Sequence, residues 1–197
     1  MKSIVAFLLL VSAVVYSQDT KKEALEFRPD IAMTLITNTY FGNNYLAKGH
    51  KNPSLGVQIK TDWLHYKNFN LGIGFEKSTQ KVTDYSIGGN ISKTNSNSVI
   101  GYFSYDLLKK SKFRVSPELS YGGIELRQKS GSKFYGKQSG KRYGLGLNLN
   151  YMVSTYTSFY SNVSYNAYNL NIETTEEYKD YFKNANAISI SFGIKFH

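Results

Sequence analysis

The chain has no cysteine in its 197 residues, which excludes disulfides, thiolate metal centres and a lipid-bearing cysteine. Its 3 prolines are too few for a proline-rich linker. Its 3 histidines form no HExxH pair, and no GxSxG turn is present. No His/Asp/Glu cluster has metal-ligand spacing, so no metal or cofactor is expected. Acidic residues are outnumbered 14 to 24 by Lys and Arg, for a net charge of +10. Outside Ile4–Val15 no stretch is apolar enough for a membrane helix, and that run is too short to be one. Against these absences stand 17 Tyr, 12 Phe and 16 Gly, a composition that favours strands, crowded walls and turns.

The apolar run follows Lys2 and ends at Val15-Tyr16-Ser17, ahead of polar Gln18. A charged start, a short apolar core and a small residue at the boundary predict a secretory signal segment over 1–17. Residues 18–29 read as a polar lead-in on the periplasmic side, and 30–197 as one domain. An exported basic chain is expected to meet anionic lipid phosphates, not nucleic acid.

Hydrophobicity then alternates with period two. Eight strands are predicted at 30–41, 55–66, 69–81, 98–108, 112–126, 142–153, 156–169 and 186–197. On the sixth, Tyr143, Leu145, Leu147, Leu149 and Tyr151 alternate with Gly144, Gly146, Asn148 and Asn150. On the eighth, Ile188, Ile190, Phe192, Ile194 and Phe196 alternate with Ser189, Ser191, Gly193, Lys195 and His197. Short connections (67–68, 109–111, 154–155) alternate with long ones (42–54, 82–97, 127–141, 170–185). That is the pattern of an all-β, eight-stranded antiparallel up-and-down transmembrane β-barrel, with short periplasmic turns and long external loops. Both termini then fall on the periplasmic side.

A soluble barrel would carry the apolar face inside. Filling so narrow an interior with Tyr, Phe, Leu and Ile would overpack it, whereas Gly, Ser and Asn fit. Aromatics also bracket the apolar stripes, as interface anchors do: Trp63, Phe69, Phe75, Tyr143, Tyr151, Phe192 and Phe196 are the candidates.

On these strands and connections the chain resembles the small outer-membrane barrels of the OmpA transmembrane-domain and OmpX type. The resemblance covers nearly all of the exported part. Its last strand, Ile188-x-Ile190-x-Phe192-x-Ile194-x-Phe196, is similar to the terminal strand that the barrel-assembly machinery reads in that group. His197 departs from the pattern by making Phe196 penultimate. The resemblance implies an outer-membrane location and a monomer; a peptidoglycan-binding domain after the barrel, which the full-length OmpA type carries, is not expected here.

Two sets of residues are candidates for function. Lys60, Asp62, Glu76, Asp106, Arg114, Glu118 and Lys195 are expected to point inward and pair in a lumen network. An unpaired buried charge is very costly, and a charge on the lipid face costs about 2–4 kcal/mol at mid-membrane. Residues 127–142 hold six cations and no acid: Arg127, Lys129, Lys133, Lys137, Lys141 and Arg142. They are the expected contact for lipopolysaccharide phosphates or an acidic polymer. The last loop has the opposite sign, with Glu173, Glu176, Glu177 and Asp180 against Lys179 and Lys183, so the two loops can attract across the barrel mouth. Gly131-x-x-x-x-Gly136-Lys137 imitates a P-loop, but Gln138 replaces Ser/Thr and no strand-to-helix context surrounds it. The expected role is structural or surface-interacting and not enzymatic. A narrow channel is the alternative. A lipid A acyl-modifying enzyme is a second one, resting on His50 as the only histidine expected at the outer rim.

Overall fold

The computed structural model describes residues 25–88, 90–110, 112–172 and 175–197. The expected signal segment, residues 18–24 of the lead-in and Glu173 lie outside the described residues. The elements run β1 (Glu26–Phe41), α1 (Tyr45–Lys48), β2 (Ser54–Tyr66), β3 (Phe69–Lys81), α2 (Tyr85–Gly88), β4 (Lys93–Tyr105), β5 (Leu108–Lys110), β6 (Phe113–Ser130), β7 (Lys133–Met152), β8 (Thr157–Asn171), α3 (Glu176–Lys183) and β9 (Asn184–Phe196). Sequential strands pair antiparallel, β1 pairs β9, and β4 pairs β6, so the sheet closes. The short β5 pairs with β6 inside a turn. The remaining eight strands are the staves of an antiparallel β-barrel.

The register fixes the barrel's shape. Paired residues lead from Ile31 through Thr61, Ile73, Gly101, Tyr121, Tyr143, Ala167 and Asn186 back to Phe41. The path therefore closes ten residues further along β1 than it began. Eight strands with that stagger tilt by about 40° and enclose a backbone cylinder of about 8 Å radius. Each residue then advances about 2.5 Å along the barrel axis.

Alternation places the apolar set outside. Leu35, Leu55, Leu145 and Phe192 are all more than half exposed, whereas Asn38, Ser158, Asn166 and Ser189 are wholly enclosed. A soluble barrel would have the reverse. Tyr143 and Tyr151 lie eight residues apart on β7, about 20 Å along the axis, close to the height of an outer-membrane apolar band. Around the end that carries the termini, Trp63 meets Phe27 edge-on at 5.8 Å, and Phe69 packs on Phe103 at 5.3 Å. Phe113 packs on Tyr151 at 4.9 Å, and Phe196 faces out at the same end of β9. Toward the other end Tyr121 packs on Tyr143 at 5.2 Å and Phe41 on Tyr165 at 6.1 Å. Phe75 and Phe192 face outward between the two girdles.

Several strands outrun their expected ends. β1 begins at Glu26, inside the expected lead-in, and β4 begins at Lys93 instead of 98. The largest difference is at 127–141, expected as a long loop. There β6 and β7 continue as a paired hairpin to Ser130 and Lys133, with a bulge between Gln128 and Lys129. The turn uses Gly131 at φ +58°, a conformation that favours glycine. Lys, Ser and Gly have weak strand propensity, but cross-strand pairing supplies what propensity does not. Glycine matters differently at Gly72, where a Cβ would come within 2.5 Å of the Tyr102 ring, so its absence lets that ring enter the lumen.

Candidate functional site

The inner face is built in three tiers. Nearest the termini, Lys60 of β2 forms an ion pair with Glu118 of β6, and Lys195 of β9 forms one with Asp62 of β2. Neutral donors complete both carboxylates. Tyr102 Oη donates to Asp62 at 2.7 Å, and Asn148 Nδ2 donates to Glu118 at 2.8 Å. Lys60 Nζ also donates to Tyr160 Oη at 3.1 Å and sits 4.0 Å from the centre of the Tyr102 ring. Below them His197 Nδ1 lies 2.9 Å from Asp30 Oδ2, and its Nε2 lies 3.0 Å from Ser158 Oγ. The departure at the C-terminus therefore clasps β9 to its two neighbours, β1 and β8. Asp106 accepts from Ser116 at 2.7 Å and from Asn70 at 3.1 Å. Arg114 lines the same cavity of about 110 Å³, whose rim includes Glu26, Arg28 and Lys67 at the terminal end.

The middle tier is a closed ring of hydrogen bonds across five strands. Arg142 Nη1 donates to Glu76 at 2.6 Å, and Asn38 Nδ2 donates to the other Glu76 oxygen at 2.8 Å. Ser189 Oγ donates to Asn38, Asn166 Nδ2 donates to Ser189 at 2.7 Å, and Arg142 Nε donates to Asn166 at 3.1 Å. Every charge in the ring has an opposite charge or oriented dipoles, as an enclosed ion pair requires.

The third tier is apolar. Tyr40, Ile124, Leu126, Tyr168, Leu170, Ala185 and Ala187 turn inward at the long-loop end and pack with Tyr45 and Leu46 of α1. Asn44 caps α1 by accepting from Ala47 N–H at 3.0 Å. Asn52 exchanges two 3.1 Å hydrogen bonds with the Tyr40 backbone. His50 is buried beside this tier, with Nε2 2.8 Å from Thr94 Oγ1 and its ring edge-on to Tyr45 at 4.8 Å. Burial lowers the His50 pKa and raises that of the Tyr45 hydroxyl. His50 thus contacts Thr94 and Tyr45, not the neighbouring Ser54. His65 is likewise held, between Asn70 at 2.7 Å and the Arg28 carbonyl at 2.9 Å. Among the described residues no group of three His, Asp or Glu is arranged to hold a metal.

The basic set sits elsewhere. Arg127 and Lys137 face each other across the β6–β7 hairpin and share Glu125 between them. Lys133 lies 5.2 Å from the Tyr135 ring centre, with Phe134 exposed beside it. Lys129 pairs opposite Phe134 near the tip, and Lys141 faces outward opposite Gly123. Arg142 does not belong to this set, contrary to the sequence expectation. It is 2% exposed and belongs to the lumen ring. Period-two alternation carries it inward with Gly144 and Gly146, a signal present in the sequence. The same parity marks Asp30 and His197, neither of which is in the expected lumen network. Tyr102 and Tyr160 were missed because tyrosine was read as an outward residue.

Pairing of β7 with β8 stops at Ser139 and Asn171, so the hairpin rises past its neighbour. The step leaves a groove of about 620 Å³ lined by Lys137, Gln138, Leu170, Asn171, Ile172, Lys179 and Lys183.

No family model matches the chain, and no curated protein matches it. Solved structures do. Neisserial surface protein A superposes with a TM-score of 0.67 at 10% identity, over 88% of this chain and 99% of that one. Ail of Yersinia pestis, in complex with the heparin analogue sucrose octasulfate, superposes at 0.50 with 11% identity, over 85% and 95%. At such identity the likeness is one of architecture: the chain has the fold of the small eight-stranded outer-membrane β-barrels.

Proposed function

We propose that the chain is a non-enzymatic outer-membrane barrel that engages anionic surface polymers or lipopolysaccharide through its basic β6–β7 hairpin. In this reading the long-loop end faces the exterior and the termini face the periplasm. The barrel is a monomer, delivered by the assembly machinery through β9. The observation that carries the reading is the hairpin itself. It lifts Arg127, Lys129, Lys133 and Lys137 beyond β8, with Glu125 as the acid among them. Such a concentration of cations on a rigid two-stranded arm attracts polyanions over about a Debye length, 8 Å at physiological salt. A barrel of the same fold, Ail, has been crystallised with a sulfated heparin analogue. The lumen is the scaffold of this arm and is closed in two places: the Arg142–Glu76 ring and the apolar tier.

The test is binding of a sulfated polysaccharide to the folded protein. Replacing Arg127, Lys129, Lys133 and Lys137 together by Gln removes four exposed contacts of about 0.2–1 kcal/mol each. Affinity should fall at least about fourfold at low salt, with the unfolding midpoint unchanged. Undiminished binding by the variant overturns the assignment. The alternative of a narrow channel draws on the polar cavity at the terminal end. It requires stable single-channel currents in planar bilayers, which the closed reading does not allow.

A further inference from the structure

The lipid-facing wall is not evenly clad. Outward Gly101 on β4 and Ala167 on β8 leave a trough of about 710 Å³ across β3 to β8, walled by Leu71, Phe103, Leu119 and Leu145. All four of these side chains are more than two-fifths exposed, and the Tyr121–Tyr143 pair borders them. Packing within the protein does not call for the glycine. A Cβ on Gly101 would meet nothing nearer than the Tyr121 carbonyl at 3.9 Å, whereas one on Gly72 would strike the Tyr102 ring. A glycine inside a strand weakens it and often marks a place where a ligand approaches closely.

The trough climbs along the barrel. A ten-residue stagger over eight strands raises each paired row by about 3 Å per strand, so the course from Leu71 to Ala167 rises about 17 Å. One leaflet is about 15 Å deep, half of a hydrocarbon core about 30 Å thick. The trough therefore has the height of a single acyl chain and ends at the upper girdle. Just above that end Lys141 faces outward, two residues beyond Tyr143 on β7 and paired with Asn169 of β8. Glu125 is shared by Arg127 and Lys137, and among the described residues no acid is paired with Lys141.

Two occupants suit an apolar wall: lipid, or a second copy of the chain. A two-fold dimer would set the trough against itself, two concavities that cannot fill one another, with both Lys141 ammonium groups at one level. A lipid chain fills it. Hydrocarbon gains little by leaving other hydrocarbon, so selection falls to the headgroup. An ammonium at the girdle selects a phosphate. We propose that the trough holds one acyl chain of lipopolysaccharide, with a phosphate of the same molecule on Lys141. The choice of leaflet rests on the outward orientation set out above; the four hairpin cations tested there take no part in this site.

The experiment places single tryptophans in the folded full-length barrel after Trp63→Phe. Phe103→Trp reports on the trough. Phe192→Trp reports on β9, four staves away, at a similar height. Quenching in vesicles by phosphatidic acid or phosphatidylcholine with brominated chains gives the relative affinity of each lipid at each position. Phe103→Trp should prefer phosphatidic acid about fivefold, the effect of one lysine at a charged membrane surface, and Phe192→Trp should show no preference. Lys141→Gln should abolish the preference. Lys77→Gln, on the outer face of β3 away from the trough, should keep it. Gly101→Leu should fill the trough and abolish the preference, with the yield of heat-modifiable barrel intact. Unlabelled lipid A should relieve quenching at Phe103→Trp more strongly than at Phe192→Trp. Equal preference at the two tryptophans, a preference that survives Lys141→Gln or Gly101→Leu, or equal relief by lipid A at both positions overturns the proposal. If the trough fails while the hairpin still binds a sulfated polymer, the surface reading stands without it. If only the polymer fails, the trough stands and that reading falls.

Discussion

Arg142 separates a lumen charge from a surface charge, and its replacement gives a magnitude that the two roles do not share. Arg142→Met strands the Glu76 carboxylate in an enclosed interior. Its remaining donors are Asn38 at 2.8 Å and Gln58 at 3.4 Å. Breaking one side of a buried ion pair costs about 3–5 kcal/mol. Glu76→Met strands the guanidinium, with a cost of the same size, about 3–5 kcal/mol. The double replacement leaves no orphaned charge. What remains is Asn166 without its donor and Asn38 with a weaker acceptor, about 1–3 kcal/mol for each unmet group. The double variant should therefore cost about 2–6 kcal/mol, less than the roughly 6–10 kcal/mol of the two single variants added, and the cycle should give a coupling of at least about 2 kcal/mol. Equilibrium folding from urea into phospholipid vesicles measures this. The emission of Trp63, the single tryptophan, is one probe, and mobility of unheated protein on a gel is a second. A cost below about 1 kcal/mol for Arg142→Met, the size of a surface ion pair, would refute the lumen assignment. So would loss of polymer binding at unchanged stability.

Three further outcomes follow from the geometry. Deleting His197 removes the contacts to Asp30 and Ser158. The deletion should accelerate urea unfolding and leave polymer affinity unchanged; unaltered unfolding kinetics would deny the clasp. Burial holds His50 neutral below the value of about 6.5 for free imidazole. As pH falls through that value the unfolded chain binds the proton first, so stability present above about 6.5 declines toward the lower folded pKa. The unfolding midpoint should drop between pH 7.5 and pH 5 in the native chain, and drop less in His50→Gln; equal declines would contradict this. Gly72→Val should disturb Tyr102 and the Asp62–Lys195 pair, lowering the yield of heat-modifiable barrel, and normal yield would show that the lumen has room to spare.

Much of the fold was legible because lipid and lumen impose opposite preferences on alternate residues. Leu145, Leu147 and Leu149 against Gly144, Gly146 and Asn148 leave one register possible. The hairpin beyond residue 126 was not legible. Above the apolar band both of its faces are polar, so Lys129, Lys133 and Lys137 read as a loop although they pair. Arg142 was misplaced for the same reason, being counted with that run of cations and not with its strand. The apolar tier was hidden by the rule that made the barrel visible. Ile124, Leu126, Tyr168 and Leu170 stand on the inward parity, and an apolar residue there contradicts a polar lumen unless something docks on it. That something is α1, whose four residues carry too little periodicity to announce a helix. His197, read as a break in the terminal pattern, is the next inward residue after Lys195.

The central claim is that the hairpin cations, held outside a closed barrel, make the chain a surface receptor for anions. Binding of a fluorescent sulfated polymer to intact cells tests it most directly. Cells would produce either the native chain or the variant with Arg127, Lys129, Lys133 and Lys137 replaced by Gln, matched for heat-modifiable barrel. The account predicts salt-sensitive binding to native cells and a loss of at least about fourfold in affinity with the variant. Equal binding by both, or by cells without the protein, would contradict it.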